Sequence, residues 1–114
     1  MSEIEQLIDE QLAAYRARDL EAFLHCYAED VTIRDFAGNV VMAGTAGMRV
    51  QYGQLFADSP DLAVAIANRM VVGQHVIDEE LVSGFHLPGY PTDLHAVVVY
   101  LVGEGAIQSV VLLS

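Results

Sequence analysis

Behind Ser2, whose capping-box partner Glu5 follows three positions later, Ile4, Leu7, Ile8, Leu12 and Tyr15 recur at three- and four-residue spacing. This pattern predicts an amphipathic helix through about Ala17. Asp19 stands where it caps a second, shorter helix, with Leu20, Phe23, Leu24 and Tyr27 on one face and an end near Ala28. The period then changes. Val31, Ile33 and Asp35 alternate with Thr32, Arg34 and Phe36, a Gly38-Asn39 turn follows, and Val40 to Met42 returns, which predicts a short strand pair. Thr45 is placed to cap a third helix over about residues 46–57, with Met48, Tyr52, Leu55 and Phe56 inward and Asp58-Ser59-Pro60 as its stop. Residues 63–72, 75–85, 94–102 and 106–113 read as four strands separated by glycine- and proline-bearing turns. Helices first and an antiparallel meander last is an α+β layout, in which the helices cover one face of the sheet. The strand at 94–102 is apolar at both parities apart from His95, so both of its faces are expected to be covered, one by helices and the other by a second subunit.

Composition narrows the classes of function. At 114 residues the chain is expected to form one domain over residues 1–114. Its net charge of −11 repels phosphate backbones and anionic headgroups, so neither nucleic acid nor membrane is expected as a partner. The absence of lysine removes Schiff-base chemistry and a phosphate-loop lysine. With Cys26 as the lone cysteine no internal disulfide forms, and a cytoplasmic location is the default expectation. Residues 1–10 are acidic and lack a signal-peptide core, and the longest apolar run, 96–102, is too short to span a bilayer. A hydrophobic content of 54% exceeds what a small monomer usually hides, which points to an apolar cavity, a homodimer interface, or both.

Asp35 is the first candidate for chemistry. It shares the parity of Val31 and Ile33, which heads its carboxylate inward, where desolvation would make it a general base near neutral pH. The alternative is a strand-end carboxylate that caps the Gly38-Asn39 turn. Glu79 shares the parity of Ile77, Leu81 and Phe85, the more apolar face of its strand, and is a second catalytic candidate, with Asp78 and Glu80 assigned to the opposite face. A solvated charge run at a twisted edge is the rival reading. Tyr15, Tyr27 and Tyr52 lie on inward helix faces, as core residues or as pocket-lining donors. His25, His75, His86 and His95 show no metal-ligand spacing, so no metal is expected; His95, at the parity of Val97 and Val99, reads as an interface residue. Cys26 reads as a small buried hydrophobe. A nucleophile elbow, a dinucleotide fingerprint and a phosphate loop are absent, and no cofactor is expected.

The segment 19–38, DLEAFLHCYAEDVTIRDFAG, the Gly-Thr-x-x-Met-Arg start of the third helix and the closing VGEGAIQSV hairpin resemble the nuclear transport factor 2-like superfamily in its SnoaL-like and ketosteroid-isomerase-like branch. The resemblance covers nearly the whole chain. It implies three N-terminal helices packed on a strongly curved antiparallel or mixed sheet, a cone with an apolar pocket at its open end, and commonly a dimer through the outer sheet face. It also implies that Asp35 matches the isomerase's proton-shuttling base and that Tyr27 and Tyr52 match its tyrosine network. Two positions depart: Gln11 stands where that pattern has the oxyanion-donating tyrosine, and Val98 where it has the protonated acid. Together these readings predict a pocket for a small apolar molecule carrying a carbonyl, hydroxyl or epoxide. Asp35 and Glu79 would be catalytic, and Gln11, Tyr15, Tyr27, Tyr52 and Val98 would contact the ligand. The reaction would be a cofactor-free isomerisation, dehydration, cyclisation or hydrolysis. The rival expectations are a non-catalytic ligand-binding or dimerisation module of the same fold, and an acidic adaptor for a basic protein.

Overall fold

The structure, a computed structural model, describes residues 2–114. Three helices come first or interrupt the early strands: α1 (Glu3–Ala17), α2 (Leu20–His25) and α3 (Gly44–Asp58). Six strands follow the order β1 (Tyr27–Asp35), β2 (Val40–Ala43), β3 (Ala63–Val72), β4 (His75–Ser83), β5 (Leu94–Gly103) and β6 (Ala106–Leu113). The Ser2 hydroxyl accepts from the Glu5 N–H at the start of α1, and Asp19 accepts from the Ala22 N–H at the start of α2, so both predicted caps form. Arg18 closes α1 in the left-handed region at φ 53°, its N–H reaching the carbonyls of Ala14 and Tyr15.

Two boundaries differ from the periodicity. Helix α2 stops at His25 and the chain is already extended at Tyr27, because Tyr27 pairs with Ile107 of β6 in the sheet. Helix α3 begins at Gly44, without a side-chain cap, and not behind Thr45. Gly44 has φ +70° and a Cβ there would stand 3.0 Å from the Glu29 carbonyl oxygen, so the tight entry into α3 calls for glycine.

The sheet order is β2-β1-β6-β5-β4-β3. All neighbours are antiparallel except β1 and β6, which run parallel. The sheet is therefore mixed, curved and not closed, a cone of α+β type. Its concave face packs on the helices through Ile8, Phe23, Ile33, Met48, Leu55, Val76 and Ile107, each almost wholly buried. Tyr15, Phe23, Tyr52 and Phe56 form a contiguous aromatic cluster with ring centroids 4.8–6.4 Å apart, where α1, α2 and α3 meet. The convex face carries many apolar side chains: Met70, Val72, Leu81 and Leu113 are exposed there, beside Ile77, Val99 and Val111, which are paired across β4, β5 and β6, and the polar group Asn68, Glu79 and His95 lies among them.

Candidate functional site

Strand β4 decides which acid enters the cone. Its even residues, Val76, Asp78, Glu80 and Val82, are buried and its odd residues are not. The expected parity is thus reversed: Asp78 and Glu80 face inward, and Glu79 faces the convex surface. There the Asn68 amide donates to Glu79 Oε1 at 2.6 Å, and the His95 Nε2 lies 2.6 Å from Glu79 Oε2. These partners hold the Glu79 carboxyl below the usual glutamate range. Glu79 does not line the cavity.

Asp35 is also displaced from its expected role. It sits at the very end of β1, past the register shift between Ile33 and Arg34, and does not line the cavity. Its two carboxylate oxygens accept from the Asn39 N–H at 2.9 Å and the Asn39 amide at 3.0 Å. Those bonds, with further ones from the Ala37 and Gly38 backbone, keep its carboxyl below the ordinary aspartate value. A carboxylate held ionised this way is a turn cap, and the inward, pKa-raised Asp35 that the parity predicted is corrected.

Inside the cone lies a cavity of about 140 Å³. Gln11, Tyr15, Tyr27, Tyr52 and Val98, the five predicted ligand contacts, all line it, and so do Glu80 and Tyr100. Four of these groups form one hydrogen-bonded chain. The Tyr27 hydroxyl donates to Gln11 Oε1 at 3.0 Å, Gln11 Nε2 donates to the Tyr100 hydroxyl at 3.0 Å, and Tyr100 donates to Glu80 Oε2 at 3.2 Å. Both ends of the Gln11 amide are therefore committed to protein groups. Tyr15 and Tyr52 line the same space, and among the described residues their hydroxyls have no hydrogen-bond partner in the protein.

Glu80 is 9% exposed, and its carboxyl is pushed up to about 7. Desolvation is the largest cause and the charge of Asp78 adds to it. The hydrogen bond from Tyr100 and the charges of Arg16 and Arg69 pull the other way. Burial also raises Tyr15, Tyr27, Tyr52 and Tyr100 above the ordinary phenol value, so all four hydroxyls are neutral donors at pH 7. Asp78, wholly buried, is ion-paired. Arg69 grips it through two bonds of 2.7 and 2.9 Å and reaches Asp9 of α1 at 2.8 Å, a bidentate clamp tying β3, β4 and α1 together.

Sequence reasoning missed Glu80, but a signal for it existed. The sequence places Val98 inward, and antiparallel pairing sets it opposite Asp78, with Ala96 opposite Glu80; an inward Val98 therefore requires both acids inward. Among the described residues no three His, Cys, Asp or Glu side chains come together in a metal-binding group, and no helix is long and apolar enough to cross a membrane.

A family model described as SnoaL-like domain matches residues 8–110. No curated protein matches the chain. Among solved structures, an uncharacterised cystatin-fold protein from Novosphingobium aromaticivorans superposes with a TM-score of 0.86 at 26% identity, covering 100% of this chain and 99% of the other. A protein with a ketosteroid isomerase-like fold from Catenulispora acidiphila, solved in complex with trimethylamine, gives 0.74 at 21% identity over 95% and 84%. A putative polyketide cyclase from Sinorhizobium meliloti gives 0.73 at 14% identity over 99% and 100%.

Proposed function

Since the chain belongs to the SnoaL-like family of the nuclear transport factor 2-like fold, we propose that it binds a compact apolar molecule bearing a carbonyl, hydroxyl or epoxide and moves a proton on it without a cofactor, with Glu80 as the general base. The observation that carries this reading is the Glu80 carboxyl: inside the cavity, anchored by Tyr100, and poised near pH 7. A base poised at the working pH combines a useful ionised fraction with a useful proton affinity.

In this mechanism one oxygen of ionised Glu80 is held by Tyr100, and the other takes a proton from a carbon next to the substrate carbonyl or from a hydroxyl. The electron pair left on carbon moves onto the carbonyl oxygen. The unpartnered hydroxyls of Tyr15 and Tyr52 donate to that oxygen, since Gln11 is committed elsewhere. Return of the proton from Glu80 to another carbon completes an isomerisation; its transfer to a departing β-hydroxyl, which leaves as water, completes a dehydration; attack of the carbanion on a second carbonyl, with the same proton delivered to the alkoxide that forms, completes a cyclisation. The cavity volume is of the order that accommodates a single aromatic ring, about 150 Å³, which favours single-ring substrates. The Catenulispora protein is described in complex with trimethylamine and the Sinorhizobium one as a putative polyketide cyclase, which supports a cavity that takes small molecules.

The test is a turnover screen of apolar ketones, β-hydroxy ketones and epoxides on the wild type and Glu80→Gln. A proton-transfer role predicts a loss of about a hundredfold or more in kcat and a wild-type kcat/KM that rises with pH to a midpoint near 7. Full turnover in Glu80→Gln removes Glu80 from the chemistry. A binding module without catalysis is the second reading, favoured by Gln11 and Tyr100 directing their polar groups at each other. It predicts probes that stabilise the fold and are never converted. A second copy of the chain is proposed to cover the convex face, whose exposed apolar residues otherwise meet water.

A further inference from the structure

The walls around Glu80 hold a feature that proton transfer does not use. Among the described residues seven aromatic side chains line the cavity, and no arginine or histidine does. The two arginines whose charge reaches Glu80 lie outside the cavity lining: Arg16 donates through Nε to the Val64 carbonyl, and Arg69 is held by Asp78 and Asp9. The carboxylate therefore faces an aromatic, low-dielectric space that, among the described residues, no protein cation lines.

We propose that this cavity takes a small organic cation, a tertiary or quaternary ammonium on an apolar body, with the Glu80 carboxylate as its counter-ion and the tyrosine rings as its walls. The proposal rests on the reading of the cavity as the binding site, and does not need Glu80 to exchange a proton with the ligand. A carboxylate deprived of water regains most from a full opposite charge, because Coulomb attraction is least screened there. Aromatic faces add to the attraction through their quadrupoles, and both effects repel an anionic ligand. The net charge of −11 concentrates cations at the protein and speeds their encounter.

Proton linkage gives the proposal its signature. The groups facing Glu80 are Gln11, Tyr15 and Arg16 from α1, Tyr27 from β1, Tyr52 from α3, Arg69 from β3, Tyr100 from β5 and Asp78 on its own strand. Burial keeps the tyrosines protonated, so Glu80 is the group that titrates near neutrality. A cation binds its ionised form. Binding at pH 7 is then expected to release roughly half a proton, and affinity to fall about tenfold from pH 8 to pH 6.

The experiment is calorimetric titration of the wild type with phenyltrimethylammonium, which cannot titrate, and with its neutral isostere tert-butylbenzene, at pH 6, 7 and 8. The expected result is binding of the cation at least tenfold tighter than the isostere, with the pH dependence above and loss of that preference in Glu80→Gln. Equal affinity for cation and isostere, a preference that survives Glu80→Gln, or no binding of the cation would overturn the proposal. The wild-type comparison stands alone if the variant does not fold. Neutral carbonyl probes converted by the wild type while the ammonium fails would refute the cation and leave the proton-transfer reading intact. Failure of both probe classes to bind would refute the cavity as a site.

Discussion

Replacing Glu80 by glutamine is expected to stabilise the protein, by an amount that depends on pH. Folding raises the Glu80 carboxyl from 4.5 to about 7. Between those values the folded chain holds a proton that the unfolded chain releases. Stability therefore falls as pH rises through the window, and above pH 7 the full penalty of the buried charge is present. A shift of this size corresponds to about 3 kcal/mol, and the near-complete burial of the group leaves little solvent screening to reduce it. At pH 4 glutamine and protonated glutamate are nearly equivalent, since both offer an oxygen to the Tyr100 hydroxyl. At pH 8 the variant should be more stable by about 3 kcal/mol, a rise in Tm on the order of 10 °C for a domain of this size. Urea unfolding of both proteins at several pH values reads the difference directly. A constant offset between the two curves would show that Glu80 ionises as an ordinary surface carboxylate and would refute the reasoning. Activity should move oppositely, a stabilised protein with its base removed, as expected where function maintains a destabilising group.

Asp35→Asn should leave ligand binding in the cavity unchanged and lower Tm only slightly, because its carboxylate bonds the turn at Asn39; altered ligand affinity in a thermal-shift titration would put it back in the site. Arg69→Met leaves Asp78 buried and unpaired and should cost about 3 to 5 kcal/mol in chemical unfolding, while Arg69→Met with Asp78→Leu should recover most of that loss. Val99→Glu places a charge on the convex face between Ile77 and Val111; sedimentation should show a monomer where the wild type is a dimer, and a monomeric wild type would remove the proposed second copy.

Much of the fold was legible because it is local. Ser2 and Asp19 cap the helices they were read to cap, and the four-strand meander follows from alternation and its turns. The parallel pairing of β1 with β6 was not legible, because it joins segments about eighty residues apart and leaves no periodic trace in either. Tyr27 continues the helical spacing of Phe23 and Leu24, and only its pairing with Ile107 makes it a strand residue. Asp35 shows what parity omits: alternation assigns a face but not a depth, and at Asp35 the strand has already reached the turn. Glu80 was hidden for the opposite reason. Two charges on the even positions of β4 made that face look polar, although Arg69 and Tyr100 satisfy them from other strands.

The central property of the site is a glutamate inside the cavity that titrates near neutrality. Carbon NMR titration of protein labelled at the glutamate side-chain carboxyls, with Glu80→Gln to assign the resonance, measures it directly. The expected midpoint for Glu80 is about 7. A midpoint near 4.5, the ordinary value for glutamate, would contradict a desolvated base at the centre of this site.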